Sequence, residues 1–315
     1  MYELSQNFIE NLHQKYDKAL NAGIIQFNGD LAENEIIHRR IHNSTIDFQL
    51  TLLKSLMHRP EKGTKEKDPF AKPEPELTIE DTFGNDGEFK ILFNKFPVIP
   101  YHFMLVTKTF MSQNTPLMPQ ELFAILKILL KLKTLDSQRK WFSFYNCGDE
   151  SGASQPHKHI QFMTFPENDF IPFPEMLADA SDTHVPKAGM EPLQSPDLPF
   201  AHFVAKLPSD LNDMDEEDIG MYFSFLLQRT LTVLRENNAK SISYNFLMTT
   251  KYMMLVPRSC GKYKELGINS CGAIGLFLCK NEELFNMIKE DGPEAILEQV
   301  GFPNTSGEDA TEYHY

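Results

Sequence analysis

Two parts of this chain run through the same order of elements and end a strand on the same dipeptide. In the first, Pro119 opens a helix to about Lys133, with Leu122, Ile125, Leu126, Leu129 and Leu132 at helical spacing, and a strand over Trp141–Tyr145 closes on Tyr145-Asn146. In the second, Asp215–Arg235 is an amphipathic helix, and a strand over Ser241–Met248 contains Tyr244-Asn245. Two dipeptides match easily by chance. The shared order strand-helix-strand-strand is what implies two related halves fused in one chain. Hairpin-joined strands between such helices predict an α+β fold with a mainly antiparallel sheet and flanking helices.

The first half is expected over 1–195 and the second over 196–315. Residues 5–20 predict an opening helix, 44–57 are mostly apolar around Lys54, and the charged, proline-rich 58–76 reads as a mobile loop. Strands Glu88–Phe93 and His102–Thr107 flank a loop with two prolines, and His159–Thr164 pairs with Trp141–Tyr145. An irregular crossover is expected over 165–198, strands over Phe200–Leu207, Lys251–Pro257 and Gly272–Cys279, and closing helices within 281–299.

A net charge of −14 disfavours binding to nucleic acid or to anionic membranes, since both require a basic surface. No apolar run approaches the ~18 residues that span a bilayer, and the first residues lack a basic leader, so a cytosolic protein with access to the nucleus is expected. Cys147, Cys260, Cys271 and Cys279 are scattered without a C-x-x-C pair, which argues against a disulfide framework and a four-cysteine zinc site.

Chemistry concentrates in Tyr145–Met163. On an extended strand His157, His159 and Gln161 share one face, while Lys158, Ile160 and Phe162 share the other, as where a strand emerges from a sheet edge. Paired imidazoles suit metal ligation, acid–base chemistry or nucleophilic attack, and a packed, hydrogen-bonded pair is the plain alternative. A metal would need further ligands, and only Cys147, Asp149 and Glu150 are near in sequence. Gly148, Ser151, Gly152, Ala153 and Ser154, by contrast, form a small-residue loop whose N–H and hydroxyl groups suit a phosphate, with Asn146 and Gln155 adding amide donors.

Asn146, Gly152, Ser154, His157 and His159 fall in the pattern N-x5-G-x-S-x2-H-x-H, which resembles the histidine triad superfamily. Gln161 in place of a third histidine resembles its nucleotidyltransferase branch. The segments DPFAKPEPEL, NKFPVIP, FAHFVAKLP, SYNFLMTTKYMMLVPRS, INSCG and GFPNTSGEDATEYHY resemble the fungal diadenosine tetraphosphate phosphorylases (ATP adenylyltransferases) over nearly the whole chain. The resemblance implies a histidine-triad-like fold and phosphorolysis of diadenosine tetraphosphate to ADP and ATP, with an ADP-sulfurylase side activity. His159 would be the nucleophile, His157 would orient it and Gln161 would bond the phosphoryl oxygens. The implied substrate contacts are Lys54, Asn94, Lys95, Asn146, Ser151, Gly152, Ala153, Ser154, Gln155, Asn269, Ser270, Cys271 and Lys280. Asn94 is equally a turn former on composition. The expected partners are nucleotides and inorganic phosphate, and the expected state is a monomer. No resident cofactor or metal is called for beyond a divalent cation carried with the substrate phosphates. A hexose-phosphate uridylyltransferase, a dinucleoside polyphosphate hydrolase and a catalytically silent nucleotide-binding module are the alternatives.

Overall fold

The computed structural model describes residues 2–27, 33–53, 67–182 and 191–308. Lys54, the 58–66 part of the expected mobile loop and Tyr313–Tyr315 lie outside the described residues.

One antiparallel sheet of eight strands organises the chain. The first half contributes β3 (Thr78–Phe83), β4 (Phe89–Phe93), β5 (Phe103–Thr107), β6 (Trp141–Cys147) and β7 (His159–Thr164), and the second contributes β8 (Phe203–Lys206), β9 (Tyr244–Met248) and β10 (Tyr252–Pro257). Their spatial order is β3-β4-β5-β7-β6-β9-β10-β8. Alternation gives the sheet two apolar faces. Phe93, Phe103, Leu105, Tyr145, Ile160, Phe162 and Phe246 pack beneath α1 (Phe8–Asn21), α2 (Pro119–Leu135) and α4 (Glu216–Glu236). Phe144, Met163, Leu247 and Met254 face a second layer.

That layer is a three-stranded sheet in which β2 (Ser44–Leu52) lies between antiparallel β1 (Glu33–Ile41) and parallel β13 (Leu276–Cys279). A two-stranded ribbon of β11 (Lys262–Tyr263) and β12 (Leu266–Gly267) stands apart. Two expectations change here. The crossover contains a helix, α3 (Phe173–Ala180), and the strand expected over Gly272–Cys279 begins only at Leu276, because Ser270–Ala273 form a helical turn, α5, capped by Asn269. In the 67–76 part of the expected mobile loop Phe70 is buried, at 7% exposed, among half-buried and exposed neighbours. The closing helices are α6 (Glu282–Asp291) and α7 (Pro293–Val300).

The two Tyr-Asn dipeptides meet. β6 and β9 pair so that Asn146 stands opposite Asn245, Tyr145 opposite Phe246 and Cys147 opposite Tyr244. The symmetry extends outward: β5 and β8 are each preceded by a histidine, His102 and His202. β5 pairs with β7 as β8 pairs with β10. Phe103 opposes Phe162 and Phe203 opposes Leu255, so the registers place Tyr252 where the first half has His159, and Met254 where it has Gln161. Tyr252 is fully buried. The second half therefore has core side chains where the first has its polar face.

His202 has become a structural residue in the same way. Its Nδ1–H donates to the Phe200 carbonyl and its Nε2 accepts the Ser195 N–H, each at 2.8 Å. Burial lowers its pKa from 6.5 to about 4, against a smaller raising effect of the Phe200 carbonyl. The native ring stays neutral while an unfolded chain protonates below 6.5. Stability contributed by this group is therefore complete above 6.5 and is lost as the pH falls towards about 4, at up to about 1.4 kcal/mol per unit. His202→Gln is expected to flatten that acid slope in urea unfolding measured across the window. An unchanged slope would exclude His202 as its source.

Candidate active site

His159 and Gln161 lie on the β7 face turned towards the small sheet, and the backbone of the strand is stitched by a side chain from elsewhere. β6 and β7 diverge to admit the loop at 148–156, so their ladder stops short of His159. Gln113, only 1% exposed, fills the gap: its Oε1 accepts the His159 N–H at 2.8 Å, and its Nε2 donates to the Asn146 carbonyl at 2.8 Å and the His159 carbonyl at 3.4 Å. A glutamine amide thus replaces a missing stretch of strand.

The histidine tautomers follow from their partners. His159 Nδ1–H donates to the His157 carbonyl at 2.8 Å, so in the neutral ring the lone pair is on Nε2. On the adjacent strand Asn94 Nδ2–H donates to His102 Nδ1 at 3.4 Å, so His102 carries its proton on Nε2 and donates to Gln161 Oε1 at 3.0 Å. With its oxygen held, the Gln161 amide turns its two N–H donors to the other side. His102 was not singled out by sequence reasoning. Its only signal there is a polar residue entering an apolar strand.

The loop after β6 requires glycine at two points. Gly148 has φ +89° and a Cβ there would meet the Ile242 carbonyl at 2.2 Å; Gly152 has φ +82° and its Cβ would meet the Ile268 carbonyl at 2.4 Å. These close approaches seat the loop on the second half. Glu150 N–H donates to Ser243 Oγ, Glu150 Oε2 accepts the Gly261 N–H, and Ser151 Oγ donates to the Gly148 carbonyl. Ala153, Ser154 and Gln155 follow half-buried, and the buried Gln155 Oε1 has no partner among the described residues.

Beneath the loop lies a polar hub between the halves. Asn146 Oδ1 accepts from Asn245 Nδ2 at 2.9 Å, Ser270 N at 2.9 Å and Ser270 Oγ at 2.7 Å. Asn245 Oδ1 in turn accepts from Arg258, whose other partners are the Val300, Ile268 and Cys260 carbonyls. Burial pushes this guanidinium down to about 10, against the smaller raising effects of Cys260 and the Glu150 carboxylate, so it is still charged at neutral pH with carbonyl oxygens as its hydrogen-bond partners. It is a positive charge under the loop, with the Glu150 carboxylate of the loop itself as its nearby counter-charge.

The expected contact residues divide accordingly. Asn146, Ser151, Gly152, Ala153, Ser154, Gln155, Asn269 and Ser270 converge on the loop and hub. Asn94 joins through His102, and its Oδ1 also accepts the Phe96 N–H at 3.0 Å in the turn that composition allowed. Burial raises the Cys147 thiol to about 11, and Cys147 packs in the core; burial raises the Cys271 thiol to about 12, and Cys271 lines the cavity past Met163. Lys95 ion-pairs with Glu74, Lys280 is exposed just past β13, and the hydrogen bonds joining the histidine cluster include neither. Along the same face, a cavity of about 320 Å³ opens past Met163, walled by Val98, Ile99 and Leu276 and edged by Asn34, Gln49 and Asn168.

Residues 3–179 match the family model of the Ap4A phosphorylase N-terminal domain. The chain belongs to the Ap4A phosphorylase family. Residues 196–303 match the ATP adenylyltransferase C-terminal domain. Diadenosine 5',5'''-P1,P4-tetraphosphate phosphorylase 2 of Saccharomyces cerevisiae is 38% identical over 97% of this chain and 99% of its own length. Crystal structures of yeast Ap4A phosphorylase Apa2 superpose at TM-scores of 0.86 with AMP and 0.84 with Ap4A. They are 36% and 35% identical, covering 97% and 96% of this chain and 99% and 100% of their own. In this family member no helix among the described residues is long and apolar enough to cross a membrane.

Proposed function

We propose that this chain phosphorolyses diadenosine tetraphosphate to ADP and ATP with His159 as the nucleophile. The observation that carries the reading is the His159 tautomer: Nδ1–H is engaged by the His157 carbonyl, so Nε2 holds the lone pair on the face shared with Gln161. Nε2 attacks the α-phosphorus, forming a P–N bond as the P–O bond to the leaving ATP breaks. A phosphate oxygen then attacks the same phosphorus, the P–N bond breaks, and ADP leaves with the ring restored. The Gln161 N–H donors, the loop N–H groups and the charge of Arg258 meet the negative charge that develops on the phosphoryl oxygens.

The layout supports a nucleotide laid along β7. Phosphate would sit at His159 and the loop, ribose beside Asn94, and the base in the cavity past Met163, whose apolar walls and amide edge suit a planar heterocycle. Gln161 has no titratable proton at neutral pH, which leaves water without a general base at this position. Incubation with diadenosine tetraphosphate should therefore give ADP and ATP only when phosphate is added. AMP and ATP formed equally well without phosphate would identify a hydrolase instead.

A further inference from the structure

The carbonyl of His157 engages His159, and the His157 ring has a separate set of partners. That ring is 1% exposed and both its nitrogens face oxygens that accept hydrogen bonds. Nδ1 is 2.7 Å from Asp68 Oδ2, and Nε2 is 2.7 Å from the Thr107 carbonyl and 3.1 Å from its hydroxyl. A carbonyl only accepts, so Nε2 must carry a proton; an ionised carboxylate only accepts, so Nδ1 must carry one as well. Among the described residues no other acid–base group competes from the elements packed on the ring. Phe70 and Phe110 lie against it at 5.9 and 5.2 Å, His159 is bonded through the main chain, and the Lys158 ammonium is turned away to Glu121.

We infer that Asp68 is a positioning residue for the reaction, holding His157 as a doubly protonated ring so that the His157 carbonyl stays fixed on the nucleophile's Nδ1–H. The side chain of Asp68 is only 7% exposed, and its other oxygen accepts the Phe70 N–H at 2.9 Å, which sets Phe70 against His159 at 5.2 Å between ring centres. One short segment therefore both orients the histidine pair and covers it with an aromatic ring. A carboxylate buried in water's absence costs free energy unless it is paired, and the charged ring supplies that pairing. The inference rests on His159 as nucleophile, but its first test does not.

The test uses the full chain with isotope-labelled histidine, observed by NMR at neutral pH without substrate. His157 should show protons on both ring nitrogens, and Asp68→Asn, whose amide can donate to Nδ1, should leave one. A singly protonated His157 in the wild type overturns the assignment and needs no variant. In single-turnover assays Asp68→Asn should slow formation of the adenylylated enzyme by about a hundredfold with KM little changed. Asp68→Glu, which restores the carboxylate, should recover part of the rate. Asp68→Asn at the wild-type rate would likewise overturn it. Loss of phosphorolysis in the wild type itself would count against the proposed function, and the ring protons would still read out Asp68 separately.

Discussion

His159→Ala is expected to abolish phosphorolysis, by at least about 10⁴-fold in kcat, while Ap4A still binds within a few-fold of the wild-type Kd. The Nδ1–H of the ring is engaged by the His157 carbonyl, so removing the ring takes away the proposed nucleophile and little ground-state binding. The groups proposed to meet the phosphates belong to the loop, the hub and Gln161, and they survive the substitution. Wild-type protein exposed briefly to substrate labelled at the α-phosphate should retain an acid-labile, alkali-stable label, the signature of a P–N bond, and the variant should retain none. Turnover by the variant near the wild-type rate, or a stable label on it, would place the nucleophile elsewhere.

Where a stretch of sequence buries a repeated pattern locally, the fold is legible. The helix expected from Pro119 to about Lys133 runs to Leu135, and His159–Thr164 is found as expected, because both patterns are set by neighbours within a few residues. β1 escaped reading: ENEIIHRRI shows only intermediate and exposed positions, so no alternation marks it, and its pairing with β2 depends on the tertiary layer it covers. α3 was hidden by the prolines around it, although Pro174 sits in its first turn, where a missing N–H costs nothing.

The site divides along the same line. The histidine pair, Gln161 and the loop lie within one run of sequence and were recognised there. Asp68, His102 and Gln113 act on that run from 89, 59 and 46 residues away, and each pairing exists only because the sheet brings the partners together. Asn146 illustrates the complementary case. Its residue type suggested amide donors facing phosphate, and its side-chain oxygen has a second task that the motif does not show, tying the two halves together beneath the loop. The half without the histidine pair is thus part of the site's foundation, which a reading of the motif alone assigns only to the first half.

Lys158 gives the second large effect, on stability. Placed between the two histidines, it does not emerge at a sheet edge as alternation suggested; it is 1% exposed on the α2 side. Its ammonium donates to Glu121 Oε2 at 2.6 Å and the Pro116 carbonyl at 2.8 Å, and the same carboxylate oxygen accepts the Met118 N–H that opens α2. Lys158→Met is expected to cost about 3–5 kcal/mol, because Glu121 is left buried with a main-chain donor alone. Burying an isolated carboxylate, rather than losing an attraction, is the larger part of that cost. The double variant Lys158→Met with Glu121→Leu should therefore recover most of the loss, since it removes both charges together. Urea unfolding of the single and double variants measures this directly. A single variant within about 1 kcal/mol of the wild type would show that Glu121 finds another partner, and a double variant as unstable as the single would show that the pair contributes more than mutual neutralisation. If the pair also sets the strand, the double variant should fold yet transfer adenylyl groups more slowly, because the residue between His157 and His159 would no longer be pinned to the start of α2.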